Sequence, residues 1–410
     1  MRVRRSLKEL VSLYDAGDRT QLENLVRAFR KIQTLPPNDP DSFFVIAGYH
    51  GEPFVKEDPT NPDWWGAYLY RLENALRNAL PEAPDLALPF WDECATHGTV
   101  KITPDGDPKT TIPDTYSVYS RFQICLKAPN YTVFSNKASM AQYIIENGGQ
   151  PHYGVALEEP HNAIHLALGG FYEKGNYNAD PFLGANGDMG ENETAAFDPI
   201  LYLHHAFIDY TFWQWQLRHD CTATGSLTVE AGKDGTISLG DPTFPKGTAL
   251  DTNSPLNPFT KPSGGFYTSE DVTDINKLGY SYGRGSLDND PARFEPPTEP
   301  IAKIARVHNV SRADYAGSFV IRTHVELPSG EKVEVGREAV LSRWNVAGCR
   351  NCQDRLNENS FIAIDNKTME VLKGNTDDEA KINFHVQIQS REFGGDKFHA
   401  PVREPAVEFL

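Results

Sequence analysis

The string FDPILYLHHAFIDYTFW, Phe197 to Trp213, constrains the fold more than any other stretch. Asp198 and Pro199 stand where a cap and first turn would, and Leu201, Leu203, Ile208, Phe212 and Trp215 recur so densely that the helix they predict must be largely buried. Two adjacent histidines, His204 and His205, sit in its middle, and buried imidazoles need partners. A second string, EEPHNAIHLALGG, holds His161 and His165 at i and i+4, which places both rings on one helical face. Taken alone, HxxxH also describes two packed or surface histidines; with the HH string, metal binding is the favoured reading. Three neutral imidazoles from two helices suit a transition metal with one open position, either catalytic zinc or one copper of a pair.

The surrounding chain is long enough for a sizeable core: 410 residues suggest one large domain and a smaller one. A formal net charge of −17 excludes nucleic acid and anionic membrane as expected partners. No run reaches the apolar length of a membrane span, and the start MRVRRSLKELVSLYDAGDRT lacks an apolar signal core, so a cytoplasmic location is expected. Five cysteines, with Cys94, Cys125 and Cys221 scattered, predict reduced thiols.

Ser6 followed by Glu9 predicts a capped opening helix. Trp65, Leu69, Leu72, Leu76 and Leu80 share one face of a later helix. From about 225 to 300 the chain is dense in Gly, Pro, Asp and Thr, which predicts wrapping loops. From Ile301 onward SFVIRTHVEL, EKVEVGREAVL and INFHVQIQSREF alternate as strands do. The expected fold is mainly α: a helical metal-binding domain over 1–300 with a loop-rich extension, and a C-terminal β-domain over 301–410.

EEPHNAIHLALGG, GANGDMGENETAAFDPILYLHHAFIDYTFWQWQ and AVLSRWNVAGCRNCQ resemble the intracellular fungal tyrosinases of the type 3 copper, hemocyanin-like family over nearly the whole chain. The resemblance implies His161, His165 and His205 as ligands of the second metal, with His204 supporting the site without ligating. It also implies a β-domain that covers the active site. The segment that carries the first-metal ligands differs: after HGEP, WWG runs directly into AYLYRLENAL, and of that trio His50 alone remains. His97 in CATHG and His152 in QPHYG read as ordinary loop histidines.

A three-histidine site of this kind suits one Zn²⁺ per chain, acting as a Lewis acid. The same truncation resembles the fungal zinc-dependent cyclopenases of quinolone alkaloid biosynthesis. That resemblance implies ring contraction of a cyclopenin-type benzodiazepinedione epoxide, a small-molecule alkaloid, to a 4-arylquinolone of the viridicatin type with loss of methyl isocyanate. Glu158 is the candidate general base or a helix-capping acid, and Asn162 orients water or lies on the helix surface. Asp209 is expected to orient ligand imidazoles. His50, Phe197 and Tyr202 are candidate pocket residues; Phe361 is a placeholder plug or a core strand residue. Cys349 and Cys352 form a CxxC that the resemblance associates with copper delivery, here a relic or weak metal site. The alternatives are a copper tyrosinase or catechol oxidase whose first-copper segment is missing from the gene model, and a non-catalytic hemocyanin-like protein. The oligomeric state stays open, a homodimer being one option.

Overall fold

The computed structural model describes residues 1–51, 62–95, 118–149, 152–170, 187–240, 244–288, 301–327, 329–344, 346–348, 355–373, 382–391 and 398–410. Along the chain run β1 (Arg2–Arg4), α1 (Leu7–Asp15), α2 (Thr20–Gln33), α3 (Phe43–Gly48), α4 (Pro62–Ala79), α5 (Val118–Cys125), α6 (Tyr131–Ser135), α7 (Lys137–Glu146), α8 (Glu158–Gly169) and α9 (Ile200–Arg218). Then follow β2 (Pro255–Thr260), β3 (Phe266–Thr268), α10 (Ser269–Val272), β4 (Tyr280–Tyr282), β5 (Ile301–Ser311), β6 (Phe319–Glu326) and β7 (Lys332–Val340). The last elements are β8 (Asn357–Asp365), α11 (Asn366–Lys373), β9 (Phe384–Ser390), β10 (Phe398–His399) and β11 (Ala406–Phe409). Among the described residues helix accounts for 39% and strand for 22%, so α and β structure combine more evenly than in the mainly α expectation.

Two compact units interleave in sequence: 1–97 with 193–232 and 249–291, and 98–192 with 233–248 and 292–410. A linear split at 300/301 does not describe this. The physical reason lies in α8, whose Ala163 and Leu166 pack with Val320 of β6 and Ala339 of β7, joining helix and sheet in one core.

In the first unit Ser6 caps α1, its hydroxyl accepting the Glu9 N–H at 3.1 Å. Helix α4 buries Trp65, Leu69, Leu72 and Leu76 as its periodicity predicts, with Leu80 just beyond it, and packs against α2 and α9. Each such leucine contributes about 1.5–3 kcal/mol by leaving water. Helix α9 is buried on nearly all sides, which is why its sequence shows no amphipathic stripe. Two short pairings fall outside the sequence expectation, parallel β1 with β4 and antiparallel β2 with β3; of these strands β2, β3 and β4 lie in the region read as loops.

In the second unit the sheets β11-β5-β8 and β10-β9-β6-β7 enclose a shared core. Alternation along β6 sends Phe319, Ile321 and Val325 into it, while Val320 faces α8. The run FVI is therefore apolar without a break because both faces are covered there. No helix among the described residues is long and apolar enough to cross a membrane.

Candidate metal centre

In the second unit, α8 carries two acids in its first turn, where carboxylates complement the helix N-terminus. Glu158 accepts the backbone N–H of Lys137 at 2.9 Å, so its carboxylate is engaged at the start of α7. One turn on, His161 and His165 face each other with ring centroids 4.5 Å apart and Nε2 atoms 3.1 Å apart. Each Nδ1 meets an oxygen: His161 that of the Asn162 amide at 2.9 Å, His165 the Met189 carbonyl at 2.7 Å. Both oxygens only accept, so each Nδ1 carries the proton and each Nε2 presents a lone pair. Two such lone pairs repel at 3.1 Å unless a cation lies against both. Two imidazole nitrogens on one tetrahedral ion stand about 3.3 Å apart, from metal–nitrogen bonds of about 2.0–2.1 Å, so the pair fits a metal. Asn162, read from the sequence as orienting water or lying on the helix surface, is buried and holds the His161 ring.

The Met189 carbonyl reaches His165 because α8 ends in glycines. A Cβ on Gly169 would lie 2.1 Å from the Gly190 nitrogen, and Gly170 adopts φ 68°, left-handed backbone that favours glycine. Arg391, buried, secures this turn through Glu191 at 3.0 Å, Gly187 O at 3.2 Å and Gly170 O.

Beside α8 lies a largely buried charge band that the sequence reading missed. Arg121 pairs with Glu159 and with Glu338 at 3.5 Å; Lys137 pairs with Glu338 at 2.6 Å and Glu358 at 3.3 Å; Arg312 pairs with Glu358. Burial, then the Glu338 charge, raises Glu159 to about 7 against the pull of Arg121 and Lys137. Burial acts the same way on Glu358, but Arg312 and Lys137 outweigh it and hold that carboxyl at about 2. His152 bonds Tyr143 through Nδ1 at 3.1 Å and is half-buried rather than a free loop histidine. Phe361, on β8 opposite Arg306, is half-buried outside the sheet core. His97, Cys349 and Cys352 lie outside the described residues.

In the first unit, α9 buries His204 and His205 completely. His205 donates Nδ1–H to the Leu201 carbonyl at 2.8 Å, which again leaves Nε2 with a lone pair. The indole of Trp65 stacks on this imidazole, centroids 3.4 Å apart and planes 17° apart. His50, also buried, touches the same indole at 5.2 Å and stands 6.5 Å from His205. His204 faces an acid not singled out in the sequence: its Nδ1 lies 2.5 Å from Glu93 Oε1. Burial lowers His204 to about 3, and burial with Asp92 raises Glu93 well above the usual carboxylate range, so one proton is held between two neutral groups.

Asp209 corrects the sequence expectation. Its carboxylate accepts from Arg4 at 2.8 Å, Tyr280 at 3.0 Å and Tyr282, with Arg4 also held by Glu73 at 2.8 Å. One turn beyond His205, it lies at the level of the β1/β4 pair and anchors the N-terminal strand. Tyr202 bonds Tyr68 at 3.2 Å and the Ala196 carbonyl, and Phe197 packs on Phe44; both serve helix packing. Glu93 was missed in the sequence, its one local signal being an acid standing just after the apolar run LALPFW; Trp65 carried no signal beyond its place on a core face.

Comparison with known proteins agrees with these elements. The model of the common central domain of tyrosinase matches residues 103–218. Tyrosinase HcTyr2 of Hahella sp. (strain CCB-MM4) is 32% identical over 95% of this chain and 92% of its own length. A tyrosinase of Aspergillus oryzae is 32% identical over 84% of this chain and 86% of its own. The solved tyrosinase of Burkholderia thailandensis, at low pH, superposes with a TM-score of 0.77 at 29% identity, covering 100% of both chains. The chain belongs to the tyrosinase family.

Proposed function

We propose that this chain is a metal-dependent enzyme in which His161, His165 and His205 hold one ion, supported by His204 with Glu93 and by Asn162. The observation that carries this is the pair of Nε2 lone pairs 3.1 Å apart on α8, each fixed by a hydrogen bond at its Nδ1. Copper leads as the metal, since imidazole donors suit it and the two relatives at 32% identity are named tyrosinases. The reaction is then oxidation of a small phenol, with copper supplying the redox chemistry. The protein's residues fix the donors and keep the surrounding helices dry.

One observation favours a second reading. The indole of Trp65 stacks on His205, and in the sequence His50 is the single remaining histidine of the expected first-metal trio. A family member with one ion would turn to redox-free chemistry. Zinc would then act as a Lewis acid in contracting a cyclopenin-type epoxide to a 4-arylquinolone with loss of methyl isocyanate. The Lys137 N–H on Glu158 makes that residue a poor general base in this reading.

Elemental analysis of the purified protein, with assays on a monophenol and a catechol in air and on cyclopenin under nitrogen, separates the two. Copper with oxygen-dependent phenol oxidation supports the first. One zinc per chain with anaerobic ring contraction supports the second. Protein that retains no transition metal sinks both, and metal without turnover points to a carrier.

A further inference from the structure

We propose that Trp65 is a positioning residue for the metal donor His205, a role resting on the reading above that His205 ligates. Three contacts constrain the imidazole. The Leu201 carbonyl holds its Nδ1 edge at 2.8 Å, helix α9 buries it completely, and the Trp65 indole covers its face at 3.4 Å and 17°. The hydrogen bond alone leaves the ring free to rock about that edge. A parallel indole at van der Waals distance removes the rocking, because any tilt drives ring atoms into the indole plane. The indole is itself braced, since His50 and Tyr68 lie against it at 5.2 and 5.7 Å. The Nε2 lone pair is therefore aimed before any metal arrives, and preorganised donors bind more tightly because less freedom is lost on binding.

The test uses full-length protein loaded with cobalt(II), comparing wild type, Trp65→Leu and Trp65→Phe. Affinity is measured by chelator competition, the visible d–d bands report ligand geometry, and circular dichroism and Tm report the fold. Trp65→Leu, which keeps bulk but loses the flat face, is expected to weaken cobalt binding about tenfold, the scale of outer contacts to ligands, and to shift the d–d bands. Trp65→Phe, which keeps a face, should stay within about threefold of wild type. Should Trp65→Leu fail to fold, copper(II) quenching decides: wild type should lose an emission component that Trp65→Phe lacks, and equal quenching overturns the proposal. A folded Trp65→Leu with unchanged affinity and bands also overturns it while leaving the metal reading intact. Wild type that binds no cobalt, by contrast, removes His205 as a ligand and both readings fall.

Discussion

His165 donates Nδ1–H to Met189 and directs Nε2 at its neighbour's Nε2, so removing this one ring breaks a donor pair. His165→Ala should therefore lose transition-metal retention through dialysis while keeping helix content, as elemental analysis and circular dichroism would show. Unchanged metal content would remove α8 from the site. Asn162→Ala leaves both imidazoles but frees His161, and metal affinity should fall about tenfold in a chelator competition. Asp209 should behave in the opposite way. Its partners Arg4 and Tyr280 are buried and Tyr282 is half-buried, so Asp209→Asn should cost about 3 kcal/mol of stability in urea unfolding, typical of a broken buried pair. Metal affinity of the folded variant should stay near wild type; a tenfold loss would restore the role expected from its place one turn after His205.

At the scale of elements, the α8 terminus and the turn at Asp188–Gly190 form one device. Gly169 and Gly190 meet with no room for a side chain, and that closeness delivers the Met189 carbonyl to His165. Gly169→Ala should force the two backbones apart, at a cost of about 3 kcal/mol, the upper range for overpacking. It should also weaken metal binding, because the His165 tautomer is no longer fixed. A variant destabilised without any change in affinity would separate the turn from the donor.

For the whole molecule, the charge band around Glu159, Glu338 and Glu358 predicts opposite responses at two ends of the pH range. Glu358 titrates at about 2 in the fold, below its ordinary range, so its contribution is present above about pH 4.5 and is lost as pH falls toward 2. Glu159, raised to about 7, binds more protons folded than unfolded between about pH 4.5 and 7, so stability falls as pH rises through that window. Tm of chelator-treated protein should decline from pH 5 to 7, and Glu159→Gln should flatten that limb. A wild-type Tm that rises steadily over the same range contradicts the placement of Glu159 among these acids.

How much of this was legible depended on whether the signal was local. Helix α4 could be read residue by residue from Trp65 to Leu80, and Ser6 with Glu9 from one turn, because helical period and capping are properties of neighbours in sequence. The i, i+4 pair His161/His165 and the buried setting of His205 were legible for the same reason. The partners were not. Glu93 beside His204 is 111 residues away, Met189 beside His165 is 24 residues away, and Trp65 on His205 joins two helices. Asp209 shows the limit most clearly: helical spacing from His205 suggested a shared task, while Arg4, delivered by a three-residue strand pairing with β4, took the carboxylate elsewhere. Sequence by itself determined the main helices, the C-terminal strands and the histidines offered as candidate donors, since these follow from backbone propensity and side-chain chemistry. Only the tertiary structure decided which hydrogen bond fixes each imidazole and which ring lies on its face, because such contacts are set by packing between segments distant along the chain.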